Sequence, residues 1–278
     1  MGKQTIFDLA THDPKQIHLT GRNKENAESI ISEVKKITPN VEVKFYECDQ
    51  SSLASVNAAA SLFLSTNPGR LDVLICNAGR MGGPPGLTKD GNEVQFGINF
   101  LAHALLTKRF LSLLEQTAKE RGEARIVNLT SDGYTMHSGG IPFQDLTTTQ
   151  QNIGMGGKWA RYGQSKFAQV IYMSELAKRY PNITTVAIHP GVIHTGLVEN
   201  QPFWDRLFVK LATLGQAIPL EKGAHNTCWA ATTDKVALKS GGVYYPVGVL
   251  KEHTKAASDE GLWRELWDWT ETQLEAFQ

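Results

Sequence analysis

The chain has 278 residues, 41% apolar and 20% charged, a balance that builds a packed core and excludes disorder as the main state. Its 28 Lys and Arg against 28 Asp and Glu leave no formal net charge, which removes the electrostatic case for nucleic acid or an anionic membrane as partner. Cys48, Cys76 and Cys228 cannot all pair and have no metal-site spacing, so a cytoplasmic, reducing setting without a bound metal is expected. No apolar run reaches the ~18–20 residues of a bilayer span, and Met1-Gly2-Lys3-Gln4 opens no signal-like apolar stretch, so no membrane anchor is expected.

Taken in chain order, helices and strands alternate. Ile6, Leu9 and Ala10 mark a short N-terminal helix, and Gln16-Ile-His-Leu-Thr20 reads as a strand ending at Gly21. Asn23 can cap a helix with the stripe Ala27, Ile30, Ile31, Val34 and Ile37. Val41, Val43 and Phe45 alternate as a strand, and Ser51 or Ser52 caps the helix carrying Val56, Ala59, Ala60 and Phe63. Leu71–Cys76 is a continuous apolar run, expected as a strand buried on both faces. A long helix from about Gly91 to Glu120, a strand Arg125–Thr130, a helix near Lys158–Arg179 and a strand Ile183–Ile188 follow. A mixed segment from Gly196 to Pro219 leads to a helix around Glu221–Thr232, a last strand Gly242–Val249 and an amphipathic closing helix with Trp263 and Trp267. Strands separated by helices of this length predict an α/β fold, a doubly wound parallel sheet in three layers, and one domain over 1–278.

The chemistry gathers at a few positions. Tyr162-Gly-Gln-Ser-Lys166 puts a phenol and an ammonium one helical turn apart on one face, where the ammonium favours the phenolate and suits the Tyr to proton exchange with a carbonyl or hydroxyl oxygen. The strand Ile126-Val-Asn-Leu-Thr-Ser131 delivers a hydroxyl to the carboxyl edge of the sheet, where open α/β sheets bind ligands, and Leu71–Cys76 ends there in Asn77-Ala-Gly79. Asn99 interrupts the long helix as a poor helix former, and Val186-Ala-Ile-His189 runs into Pro190-Gly-Val-Ile-His-Thr195.

In this order the segments resemble the short-chain dehydrogenase/reductase family, and the long gap from Ser131 to Tyr162 resembles its retinol-dehydrogenase-like branch. The resemblance implies a Rossmann-type fold and hydride transfer with a nicotinamide dinucleotide. It implies Tyr162 as proton donor and acceptor, Lys166 on the nicotinamide ribose and lowering the Tyr162 pKa, Ser131 orienting the substrate oxygen, and Asn99 holding a relay water. Asn77, Ile193 and Thr195 match cofactor-contacting positions, Asp49 would meet the adenine, and Lys108 would line the same groove.

Cofactor choice has its own argument. An acid at the end of the second strand serves the ribose 2′-OH in NAD enzymes. Thr20-Gly-Arg22-Asn23 carries no acid there, and Arg22 would grip a 2′-phosphate, so NADP(H) is expected. A dinucleotide fold also opens with a strand and a Gly-rich turn, whereas this sequence opens within the helix that follows, with Gly2 in the place of the turn's last glycine. The strands Gln16–Thr20 and Leu71–Cys76 are therefore expected to flank a central slot. An upstream start, a degenerate family member and a strand supplied by another chain are the three explanations. Against an oxidoreductase for a small carbonyl or alcohol substrate stands a binding, regulatory or non-redox catalytic protein on the same scaffold. The segment 196–219, with Phe203, Trp204, Leu207, Phe208, Leu211 and Leu214, is expected as a substrate lid that leans the substrate towards apolar. His137, His189 and His194 are expected as loop or core residues, and association of identical chains is left open.

Overall fold

The computed structural model describes residues 1–137, 139–153, 156–193, 202–213, 215 and 217–277. Its first half runs α1 (Gly2–Ala10), β1 (Gln16–Gly21), α2 (Lys24–Ile37), β2 (Glu42–Glu47), α3 (Leu53–Ser65) and β3 (Val73–Cys76). Side-chain caps set the helix starts: Asn23 Oδ1 accepts the Asn26 N–H at 2.7 Å, and Ser52 Oγ accepts the Ser55 N–H at 3.3 Å. Helix α4 is one rod in three parts, an α turn at Val94–Phe96, a π turn at Gly97–Leu101 and an α-helix over Ala102–Arg121. It stops at Gly122, whose φ of +83° only glycine adopts without strain. Then come β4 (Arg125–Leu129), α5 (Gly157–Arg179), β5 (Thr184–Ile188), α6 (Phe203–Ala212), α7 (His225–Thr232), β6 (Val243–Tyr245), β7 (Val249–Lys251) and α8 (Glu260–Gln273).

The strands form two ladders. β1 and β2 pair in parallel, and β3-β4-β5-β6 form a parallel run closed by antiparallel β7. Among the described residues no ladder joins β1 to β3. Burial follows from that break: every residue of β4 and β5 is buried, whereas Val73, Leu74 and Ile75 of β3 and most of β1 are half-buried. The expectation that Leu71–Cys76 is buried on both faces is corrected accordingly, since among the described residues one long edge of β3 has no neighbouring strand. The expected strand Gly242–Val249 is also corrected. It is a hairpin, β6 and β7, turned at Gly248 with φ +73° and packed tightly on the Trp229 ring.

Helices cover both faces of the longer sheet. On one side Phe63, Phe100, Leu105, Phe167, Ile171, Leu266 and Trp267 belong to one large apolar cluster, with Trp267 stacked on Tyr172 at 5.4 Å between ring centroids. On the other, Val127, Leu129, Val186, Ile188 and Tyr244 pack against Ala230 of α7. No helix among the described residues is long and apolar enough to cross a membrane.

Candidate active site

The carboxyl ends of β3, β4 and β5 lie side by side in the sheet, and that of β3 meets the start of α1. A Cβ added to Gly2 would meet Asn77 Nδ2 at 2.8 Å, so the first turn of α1 lies against the end of β3. That turn has no side-chain cap hydrogen bond, and the first-turn N–H groups of a helix are the ones that can receive a phosphate. Asn77 Oδ1 is buried and lacks a partner.

Beside it, the Tyr162 hydroxyl faces the Ser131 side chain, near enough for that side chain to lower its pKa. Two glycines make this approach possible. Gly163 comes so close to the Ser131 loop that a Cβ would stand 2.9 Å from the Gly133 carbonyl oxygen, and Gly133 lies flat on the Tyr162 ring, with its own virtual Cβ 3.4 Å from Cδ1 and Cε1. Neither glycine carried a motif signal; the close approach of α5 to the loop after β4 is what requires them.

Lys166 Nζ sits 5.7 Å from the Tyr162 ring centroid and donates to the Leu129 carbonyl at 2.8 Å. The sequence argument had the ammonium lowering the phenol pKa. Burial dominates both groups: it raises Tyr162, opposed by the Ser131 side chain, and lowers Lys166 from 10.5 to about 7.

Asn99 sits in the π turn of α4, a feature that often marks functional positions. Its Oδ1 accepts the Arg80 N–H at 2.6 Å, and its Nδ2 donates to the Arg80 carbonyl at 2.9 Å and to Ser165 Oγ at 2.8 Å. The Asn99 carbonyl accepts Gln169 Nε2 at 2.7 Å. Gly79 brings the end of β3 against both groups, its virtual Cβ 3.2 Å from Asn99 Oδ1 and 3.6 Å from Lys166 Nζ.

The remaining expected residues divide. Arg22 is exposed at the end of β1 and has no ion pair among the described residues, which leaves its guanidinium available. Ile193 is buried against Gly223. Asp49 is held well below the usual carboxylate range, at about 2, by Lys89 at 2.9 Å and by the Ser51 hydroxyl and N–H. Lys108 is not brought to this cluster; its ammonium is taken by Glu271 of α8 at 2.6 Å. Thr195, His194 and residues 196–201 lie outside the described residues. His189 is buried and kept neutral, its pKa pushed down to about 4 by burial, and His137 packs on Phe167. No His, Cys, Asp and Glu cluster of metal-binding size occurs among the described residues.

A phenol facing a hydroxyl, a lysine one turn along the same helix and the start of α1 come together at the carboxyl edge of the sheet. A family profile described as short chain dehydrogenase matches residues 1–142. The short-chain dehydrogenase/reductase drtF of Aspergillus calidoustus is 33% identical over 99% of this chain and 90% of its own length. Human retinol dehydrogenase 11 is 32% identical over 96% of this chain and 80% of its own. An uncharacterized protein from Mycobacterium Paratuberculosis superposes with a TM-score of 0.73 at 26% identity, covering 99% of this chain and 89% of that one. The chain belongs to the short-chain dehydrogenase/reductase family, in its retinol-dehydrogenase-like branch.

Proposed function

We propose that the chain is an NADP(H)-dependent oxidoreductase that interconverts a carbonyl and an alcohol on a small, apolar substrate. The observation that carries the reading is the Tyr162 ring packed on the Ser131–Gly133 turn with Lys166 one turn along the same helix. The nicotinamide supplies or accepts the hydride when bound. The chain's own part is the proton: Tyr162 Oη gives it to the substrate oxygen in reduction and takes it back in oxidation, while Ser131 Oγ holds that oxygen. Lys166, poised at about 7, favours the phenolate whenever its ammonium form is present. Asn99 keeps the end of β3, α4 and α5 in register through Arg80 and Ser165.

The dinucleotide fits the residues present. The first turn of α1, which has no side-chain cap, suits its pyrophosphate, the orphaned Asn77 Oδ1 supplies an acceptor, and Arg22 supplies a guanidinium for a 2′-phosphate. Asp49, Lys166 and Ile193 border the same edge, with Thr195 assigned by sequence alone. Exposed Phe203, Trp204 and Leu207 on α6 fit a lid over an apolar substrate. Cys48, Cys76 and Cys228 are buried free thiols, which suits a cytoplasmic setting.

The second reading, a protein that uses this pocket without hydride transfer, draws on the unladdered edges of β1 and β3 beside the α1 N-terminus. The experiment that separates the two incubates the protein with NADPH deuterated at nicotinamide C4 and a panel of aldehydes and ketones. Deuterium in an alcohol product, read by mass spectrometry, supports the oxidoreductase. NADPH binding with no label transferred supports the second reading.

A further inference from the structure

Arg161 and Glu93 are 68 positions apart in sequence, and both are almost wholly buried, with side chains 2% and 0% exposed. Arg161 Nε stands 3.4 Å from Glu93 Oε1, and Arg161 Nη1 donates to the Gln150 carbonyl at 3.1 Å. The other carboxylate oxygen of Glu93 accepts the Phe96 N–H at 2.7 Å, capping the first turn of α4, and the Glu93 N–H donates to the Leu146 carbonyl at 2.7 Å. Burial raises the Glu93 carboxyl, opposed by the backbone N–H groups of Phe96 and Gln95 and by the Arg161 charge. Two residues on, Gln95 accepts the Gly82 N–H at 2.9 Å and donates to the Lys158 carbonyl at 2.9 Å.

These contacts join two places that the chemistry needs. Arg161 immediately precedes Tyr162 in α5, and Glu93 caps the α-turn that leads directly into the π turn presenting Asn99. Other polar links bind α4 to α5 further along, Asn99 to Ser165 and Gln169 to Asn99, but Glu93–Arg161 is the ionic one among the described residues. Arg161 Nε and Glu93 Oε1 face each other as an ion pair without a hydrogen bond between them, so the carboxylate that caps α4 sets a buried charge opposite the guanidinium, which near the start of α5 is itself tied to the Gln150 carbonyl.

We propose that Glu93 and Arg161 are a positioning pair that holds the Tyr162 hydroxyl in register with Ser131 and Asn99. The proposal rests on Tyr162 being the proton donor, and its test is arranged so that the two can fail separately. Arg161→Met, Arg161→Lys and the double variant Glu93→Gln/Arg161→Met are compared with the parent protein. Melts establish that each is folded, and the double variant, which leaves no unpaired buried charge, serves if Arg161→Met alone does not fold.

With tyrosines labelled at 13Cζ, the Tyr162 resonance is assigned by its loss in Tyr162→Phe. The expected result is a shifted or broadened Tyr162 signal in Arg161→Met or the double variant, with NADPH affinity unchanged. On a reducible carbonyl kcat falls about 100-fold, the usual cost of misplacing a reacting group by an ångström, while Arg161→Lys recovers most of it. An unmoved Tyr162 signal together with kcat within twofold of the parent overturns the positioning role. A Tyr162→Phe protein that keeps its turnover overturns the functional reading instead, whatever Arg161 does.

Discussion

Lys166→Met should make the protein more stable below neutral pH while removing its function. Burial takes Lys166 from 10.5 to about 7, so folding must carry a proton into an unfavourable place or lose it. At ~1.4 kcal/mol for each tenfold change in proton affinity, that separation is ~5 kcal/mol when the group is protonated in both states. The sign follows from linkage. Between pH 7 and 10.5 the unfolded chain binds more protons than the folded one, so the Lys166 contribution to stability improves as pH rises through that window. The penalty is thus ~5 kcal/mol at pH 6 and ~2 kcal/mol at pH 9. Met matches the lysine stem in length and flexibility but leaves the Leu129 carbonyl, now accepting Nζ at 2.8 Å, without its donor. That loss costs ~1–2 kcal/mol, leaving the variant ~3 kcal/mol more stable than the parent at pH 6 and about equal to it at pH 9. In a chain of this size the gain at pH 6 corresponds to roughly 5–10 °C in Tm. Paired thermal melts at the two pH values, without cofactor, read the difference directly. A variant less stable at both pH values, or a gap that does not change with pH, would refute the reasoning about the buried ammonium.

Arg22→Ala should weaken NADPH by about 10- to 100-fold, the worth of a charge-assisted contact, and leave NADH within twofold, as read by fluorescence titration; equal losses would remove Arg22 from the 2′-phosphate. Hydrogen exchange should be faster at the amides of β1 and β3 than in β4 and β5, because only the latter are laddered on both sides and buried throughout; uniform protection would mean that the β1–β3 edges are closed in solution. Gly97→Ala drives a methyl into the Thr88 side chain beneath the π turn and should cost ~1–3 kcal/mol in denaturant unfolding. Trp204→Ser, at a side chain left exposed on α6, should change stability by less than ~0.5 kcal/mol while raising KM for apolar carbonyls; an unchanged KM would separate α6 from the substrate.

Local signals carried much of the architecture. The caps Asn23 and Ser52, the apolar stripe of α2 and the continuous runs at β4 and β5 are properties of short windows, and the elements stand where those windows put them. The break between β1 and β3 was legible as well, because a doubly wound sheet has a known strand order against which the opening residues can be set. The hairpin of β6 and β7 was missed because a run of β-formers hides a turn at Pro246-Val247-Gly248 that depends on the fit of Gly248 to Trp229. At the site, Tyr162, Lys166 and Ser131 were readable from helical spacing and strand ends. The counterparts of Lys108 and Arg161 were not, since Glu271 and Glu93 lie 163 and 68 positions away and no local pattern pairs them. The raised Tyr162 pKa was hidden for a related reason: spacing shows that an ammonium is near a phenol, whereas burial, which shifts both groups, is a property of the assembled core.

The central claim is that Tyr162 passes the proton in a hydride-transfer reaction, and Tyr162→Phe tests it most directly, because it removes one hydroxyl from a half-buried ring and leaves the packing on Gly133 in place. NADPH affinity, the thermal melt and turnover of a reducible carbonyl are measured on the parent and the variant side by side. The account predicts an unchanged melt, NADPH affinity within about threefold, and turnover lower by about 100- to 10,000-fold, the usual contribution of a general acid. A folded Tyr162→Phe protein that reduces the same carbonyl at close to the parent rate would contradict it.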